Sequence, residues 1–246
     1  MAERNLQEIL LEGLRHLEYR GYDSAGMAVV NESGEIQRLR CIGKVSALSK
    51  VLADTPLAGK IGIAHTRWAT HGSPTENNAH PHLSSDRLAI VHNGIIENHA
   101  VLREQLICNG YTFYTETDTE VAAHRIAYYL AQGRDLLRAV QATVAELEGA
   151  YALAVIDRND TGRVVACRNG PPLVIGHGIG ENYIASDRQA LQSVTARFSH
   201  LENGEVVDLR RKGFDIYDSN GLLVNRNIEM SDWSVQQMMN GESKSE

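Results

Sequence analysis

Strand-type and helix-type hydrophobic patterns are segregated along this chain, and that segregation limits its folds more than any single motif does. Short runs rich in β-branched and small apolar residues crowd both flanks, at 27–30, 36–42, 61–65 and 87–92, then again at 150–157, 164–168, 173–176, 183–185, 206–209 and 214–217. Between the flanks, 101–109, 121–131 and 135–147 carry apolar residues at helical spacing. Asn109-Gly110 stops the first of these helices, and Thr117 or Asp118 is a candidate N-cap for the second. An amphipathic helix at 3–20, with Leu6, Ile9, Leu10, Leu14 and Leu17 on one stripe, precedes the first strand, and 44–54 is helical up to Pro56. Gly13 interrupts the first stripe and marks a close approach to a neighbouring element. Asp218-Ser-Asn-Gly221 is a hairpin-type turn. Sheets layered against helices, in an α+β arrangement without an internal linker, are the expectation for residues 1–229. From about Met230 the chain turns polar, and 230–246 reads as a tail or the start of a linker.

Charge and composition remove several function classes. A net charge of −7 and a pI near 5.8 leave no basic face for nucleic acid. No apolar run approaches the ~20 residues of a membrane helix, and the first residues have neither a basic nor an apolar signal region. A soluble, cytoplasmic protein with no nucleic-acid or membrane partner is expected. Cys41, Cys108 and Cys167 are odd in number, far apart and without a Cys-x-x-Cys pair, so they read as small hydrophobes in a reducing compartment.

Two apolar runs end in chemistry. Residues 61–64 lead into His65-Thr-Arg-Trp-Ala-Thr-His-Gly72, and 88–91 lead into His92-Asn-Gly-Ile-Ile-Glu-Asn98. Strands that each discharge into a polar, glycine-containing loop imply one site at a common sheet edge. The fork of Arg67 matches a carboxylate or phosphate, with Thr70 and His71 as further donors; pairing with a structural acid is the competing reading. Asn93 and the Gly94 N–H can converge on an oxyanion, and a plain Asn-Gly turn explains them as well. Asp118 can hold an ammonium group or simply cap a helix. His80-Pro-His82, near His65, His71 and His92, raises the question of a metal. No Glu or Cys stands at metal-ligand spacing, so hydrogen-bonded histidines without a metal or cofactor are expected.

These motifs, in this order, resemble the glutaminase (type 2 glutamine amidotransferase) domain of glucosamine-6-phosphate synthases, the isomerizing glutamine–fructose-6-phosphate aminotransferases. The residues that carry the resemblance are 18–26 (Glu-Tyr-Arg-Gly-Tyr-Asp-Ser-Ala-Gly), 65–72, Asn78-Ala-His-Pro-His82, 92–98 and 115–120. It implies the N-terminal-nucleophile hydrolase fold, a four-layer α/β/β/α sandwich that hydrolyses L-glutamine and passes ammonia to sugar-isomerase domains acting on fructose-6-phosphate, in a homodimeric enzyme. Arg67 would hold the glutamine α-carboxylate with Thr70 and His71 assisting, Asp118 the α-ammonium, and Asn93 and Gly94 the oxyanion. Trp68 would ride on a loop closing over the substrate. The glutaminase domain of amidophosphoribosyltransferase is the nearest competitor, but it would carry His-Arg-Gly-Gln-Asp in place of residues 19–23.

One expected group is missing. The family's nucleophile is an N-terminal cysteine on a strand that precedes the first helix, whereas this sequence starts Met1-Ala2-Glu3. None of its three cysteines has a free α-amino group to act as base. The expectation is a chain that binds glutamine weakly or not at all and does not hydrolyse it. A non-catalytic glutamine-binding or partner-docking module is the alternative. Loss of a strand worth about 1.5–3 kcal/mol per large apolar side chain should also weaken the fold and leave unpaired strand edges.

Overall fold

The computed structural model describes residues 1–2, 4–68 and 72–231. In chain order the elements are α1 (Leu6–Leu17), β1 (Ser24–Val30), β2 (Ile36–Ile42), α2 (Val45–Asp54), β3 (Ile61–Arg67), β4 (His82–Ser84), β5 (Leu88–Ile96), α3 (His99–Cys108), α4 (Asp118–Ala131) and α5 (Leu136–Val144). There follow β6 (Gly149–Asp157), β7 (Arg163–Asn169), β8 (Val174–His177), β9 (Asn182–Ala185), β10 (Arg197–His200), β11 (Glu205–Arg210), β12 (Gly213–Tyr217), β13 (Leu223–Val224) and β14 (Glu229–Met230).

The period-2 alternation of the strands sorts their side chains into separate cores. In β6, Tyr151, Leu153 and Val155 face one way, onto Ile126 of α4, Leu136 and Val140 of α5 and Leu106 of α3. Ala152, Ala154 and Ile156 face the other way, onto Ala28, Ile61, Ile63 and Ile175 of a second layer of strands. The opposite face of that second layer, with Met27 and Val29 of β1, Val174 of β8 and Phe198 of β10, is covered by Leu11 and Leu14 of α1 and Leu48 and Leu52 of α2. Each of the large aliphatic and aromatic side chains among these contributes about 1.5–3 kcal/mol by leaving water. Three cores between four layers make an α/β/β/α sandwich, as expected. Gly13 of α1 meets Ala190 of a short 3₁₀ helix (Arg188–Leu191), where an added Cβ would stand 3.2 Å from the carbonyl oxygen.

One β-layer is a continuous seven-stranded antiparallel sheet, in the order β13-β12-β11-β7-β6-β5-β4. The other is in two pieces, β2-β1-β3 and β14-β10-β8-β9, with β3 and β9 as the facing edges. Among the described residues, Met1 and Ala2 bridge these edges. The Met1 ammonium donates to Asn182 O (2.9 Å), Asn182 N–H donates to Met1 O (3.3 Å), and Ala2 N–H donates to Lys60 O (3.0 Å).

The structure corrects two expectations about the polar loops. Asn93 and Gly94 are not in a loop after a strand: β5 runs through them to Ile96, pairing Asn93 with Ala152 and Gly94 with Tyr151 on β6. Gly94 permits this with φ +121°, at a point where a Cβ would lie 2.0 Å from Ala150 O. Nor do the two polar stretches share a sheet edge. β3 and β5 belong to different sheets, so the stretches meet across the interface between layers. Strands β4, β10, β13 and β14 were not anticipated, and the turn at 218–221 joins β12 to β13 as a hairpin.

Candidate functional site

Arg67 ends β3 and is almost wholly buried. Its Nη1 donates to Ser73 O (3.2 Å) and its Nη2 to Gly72 O (3.1 Å), so the guanidinium gathers the returning polar loop around itself. Burial lowers its pKa, while Asp23, Asp118 and Glu116 act to raise it. Arg67 and Asp118 therefore share one electrostatic neighbourhood, although they are far apart in sequence.

Asp118 is the first residue of α4, and the cap is Thr117, whose hydroxyl accepts the Glu120 N–H at 3.3 Å. The capping alternative for Asp118 is thereby settled. Its buried carboxylate instead crosses to β5, where Oδ2 accepts the Ile96 N–H (2.8 Å) and Oδ1 lies 3.8 Å from His92 Nδ1. That bond fixes Asp118 two residues beyond Gly94 on the same strand, so the acid and the Asn93-Gly94 pair are held as one unit.

A residue that sequence reasoning passed over organises the approach to Asp118. Glu120 accepts the backbone N–H groups of Tyr114 (2.9 Å) and Thr115 (2.8 Å) and the Thr115 hydroxyl (2.7 Å). Burial alone would raise its pKa, but those bonds and His124 overcome it and hold the carboxyl at about 2. Asn78 adds a second tie. Its Nδ2 donates to Ser73 O and Glu116 Oε2, both at 3.0 Å, and its Oδ1 accepts the Glu116 N–H at 3.1 Å. The 72–78 and 114–118 stretches are thus sewn to each other beside Arg67. The signal was available in the quoted motifs at 78 and 115–120, but nothing in either motif announced that they would meet.

The histidines form a buried stack. His65 and His80 lie ring on ring at 4.2 Å and 17°, and His80 meets His82 edge-on at 4.8 Å. His92 Nδ1 pairs with Thr119 Oγ1 (2.9 Å), His82 Nε2 with Thr117 Oγ1 (3.3 Å), and His80 Nδ1 accepts the His92 N–H (3.3 Å). Burial lowers the pKa of His65 to about 4 and of His82 to about 3, and places His80 well below its ordinary value. These rings are neutral hydrogen-bonding groups, and among the described residues no group of three or more His, Cys, Asp or Glu is arranged to hold a metal ion.

Asn93 Oδ1 and His65 Nε2 form a 2.9 Å contact. Trp68 is exposed, with its ring 5.5 Å from that of Tyr22. Thr70 and His71, expected to assist Arg67, lie outside the described residues.

Asn93 and His65 also stand on the wall of an apolar cavity of about 320 Å³ between the layers, bounded by Leu10, Ala64, Ala154 and Ile184. The cavity follows the gap between the free edges of β3 and β9, and no cysteine lines it. Cys41 and Cys167 are buried, which raises both thiols, the latter to about 12, and Cys108 is exposed at the end of α3. High thiol pKa values disfavour the thiolate that nucleophilic attack requires.

A family profile described as glutamine amidotransferase domain matches residues 65–193. The isomerizing glutamine–fructose-6-phosphate aminotransferase of Pseudomonas putida is 57% identical over 226 residues, which is 92% of this chain and 37% of that protein. Its counterpart from Shewanella oneidensis is 56% identical over 94% of this chain and 38% of its own length. The chain thus spans a little over a third of the curated relatives it matches. Among solved structures, the glutamine phosphoribosylpyrophosphate amidotransferase of B. subtilis superposes with a TM-score of 0.74 at 26% identity, over 88% of this chain and 47% of that one. A class-II glutamine aminotransferase domain protein from Silicibacter pomeroyi shares the fold, with a TM-score of 0.58 at 16% identity over 80% of this chain and 91% of its own.

Proposed function

The chain belongs to the glutamine amidotransferase domain family, and from that premise we propose that it is the glutamine-binding part of an isomerizing glutamine–fructose-6-phosphate aminotransferase. In this reading glutamine is hydrolysed to glutamate, and the ammonia released goes to sugar-isomerase domains that convert fructose-6-phosphate to glucosamine-6-phosphate. The identity of more than 50% to such enzymes supports it over the phosphoribosylpyrophosphate enzyme, a more distant relative at 26%.

The observation that carries the proposal is the convergence of Arg67, Asp118 and the Asn93-Gly94 pair at one interface between the layers. An α-amino acid presents one carboxylate and one ammonium on adjacent atoms, and it needs one fixed cation and one fixed anion. Arg67 takes the carboxylate, helped by Thr70 and His71, and Asp118 Oδ1 takes the ammonium. The side-chain amide then extends toward Asn93, whose Nδ2 joins the Gly94 N–H in stabilising the negative oxygen that forms when a nucleophile adds to the carbonyl. Trp68 and the loop behind it close over the bound amino acid.

The nucleophile's place follows from the strand edges. Met1 and Asn182 exchange both backbone hydrogen bonds, the signature of an antiparallel pair. Ala2 meets Lys60 on the other side. A strand leading into Met1 would run antiparallel to β3 and β9, through the apolar cavity, and reach the level of His65 and Asn93 after about six residues at ~3.3 Å each. A cysteine that begins such a strand arrives beside the oxyanion hole with its own α-amino group as base.

Calorimetry tests the binding half. Glutamine should bind, and an analogue lacking either the α-ammonium or the α-carboxylate should bind at least about tenfold more weakly, ~1.4 kcal/mol. The same loss should follow Asp118→Asn for the ammonium partner alone. Equal affinity for glutamine and both analogues would overturn the assignment of Arg67 and Asp118.

A further inference from the structure

We propose that His65 is the positioning residue for the oxyanion hole: as the Nε2–H tautomer it dictates which end of the Asn93 carboxamide faces the substrate. The inference rests on the role given to Asn93 above and adds what makes that role possible.

A carboxamide presents an acceptor on one side and a donor on the other, and exchanging the two scarcely alters its shape. Turned one way, Asn93 offers Nδ2–H to a developing negative oxygen. Turned the other way, it offers a lone pair and repels that oxygen. Something must choose between the two, and among the described residues the contact that can is the 2.9 Å one between His65 Nε2 and Asn93 Oδ1. If Nε2 carries the proton, Oδ1 must face His65 and Nδ2 must face away from it. If Nδ1 carries the proton, Nε2 accepts, and the amide turns over.

Three observations favour the first arrangement. His65 Nδ1 is buried with no hydrogen-bond partner among the described residues, so a proton there would be a stranded donor. A bare nitrogen is the less costly defect, because unsatisfied acceptors are better tolerated than unsatisfied donors. The ring is also clamped face to face against His80 at 4.2 Å, so it cannot rotate to exchange its nitrogens without disturbing the stack. Finally, the groups around it hold it neutral: burial is the dominant effect and outweighs Asn93 and the His92 backbone, which favour a ring N–H, while the His92 ring and Arg67 oppose a positive charge. An imidazolium would donate from both nitrogens, and neutrality makes the choice of tautomer meaningful. The role proposed for His65 is exerted on Asn93, not on the substrate.

Long-range ¹⁵N–¹H correlation spectra of the ¹⁵N-labelled chain at neutral pH test this without any turnover, so a failure here is separable from a failure of the glutaminase reading. The expected pattern places the proton on His65 Nε2 and leaves Nδ1 with the downfield resonance of a bare nitrogen. It also shows the Asn93 side-chain NH₂ as one pair of resolved signals. His65→Leu, which frees the carboxamide to turn over about Cβ–Cγ, should shift both signals of that pair, and His65→Gln, whose own amide can donate to Oδ1, should return them toward their original positions. A proton on Nδ1, or a resolved Asn93 pair unchanged by His65→Leu, would overturn the proposal. If His65→Leu fails to fold, the wild-type tautomer decides alone.

Discussion

Acidification should unfold this protein at a pH where most globular domains are unaffected, and the histidine stack supplies the magnitude. His65, His80 and His82 are neutral in the fold, with His65 lowered to about 4 and His82 to about 3 from an ordinary value of 6.5. The unfolded chain therefore binds protons that the folded chain refuses. A group whose folded pKa is depressed in this way removes stability as pH falls through its unfolded value, here from about 6.5 down to about 4. Between pH 7 and pH 5 each such histidine costs about 2 kcal/mol, so three together cost about 6 kcal/mol. That approaches the whole stability of an ordinary domain, ~5–15 kcal/mol. Glu120 works in the other window: its carboxyl, held at about 2, gives stability that is lost only as pH falls below 4.5. Urea denaturation followed at pH 7, 6 and 5 isolates the histidines. The midpoint should fall steeply across that range, and His82→Gln, which can still reach the Thr117 hydroxyl, should recover roughly 2 kcal/mol of the loss. A midpoint that holds steady from pH 7 to 5, or an identical fall in His82→Gln, would refute the argument that the rings are buried neutral.

Three further perturbations probe the scaffold of the site. Glu120→Gln keeps the size and one acceptor but removes the charge behind four hydrogen bonds, and should cost about 2–4 kcal/mol in urea denaturation, together with a loss of glutamine affinity by calorimetry because Asp118 sits on the same turn. Gly94→Ala places a Cβ 2.0 Å from Ala150 O at φ +121°, and should give a protein destabilised by about 3 kcal/mol or more, measured by thermal denaturation. Arg67→Lys loses the fork that reaches both Gly72 O and Ser73 O; glutamine binding should fall at least about tenfold in calorimetry even at unchanged net charge.

The layers were legible because burial writes itself into period. β6 and β7 alternate between two apolar cores, and that forces continuous apolar runs that no loop would carry. β10 was not legible: Arg197-Phe-Ser-His200 has one large apolar side chain, and its strand character comes from β8 and β14 beside it. Asn93-Gly94 placed β5's end too early, because glycine at positive φ commonly marks a turn, whereas here the same φ lets β5 continue under the Ala150 carbonyl. Residue type makes Arg67 and Asp118 candidates, each beside a structural alternative, and it is the family resemblance that implies their roles. Their supports could not be chosen in advance: Asn78 acts through Glu116, 38 residues away, and Glu120 works through the backbone N–H groups of Tyr114 and Thr115 just before its own helix, which no residue pattern announces. The gap between β3 and β9 was foreseen as unpaired strand edges. What the structure adds is its lining, its direction and the residues at its end.

Turnover by this chain carrying an additional strand before Met1 is the most direct test of the account. A polypeptide extended by Cys-Gly-Ile-Val-Gly and one further residue, with the cysteine as its free N-terminus, should release glutamate from glutamine, and the same extension beginning with alanine should release none while melting at a similarly raised temperature. Glutamate release at equal rates from both extended forms, or none from a cysteine form that has gained the added stability, would contradict the claim that the cavity between β3 and β9 delivers a nucleophile to Asn93 and Gly94.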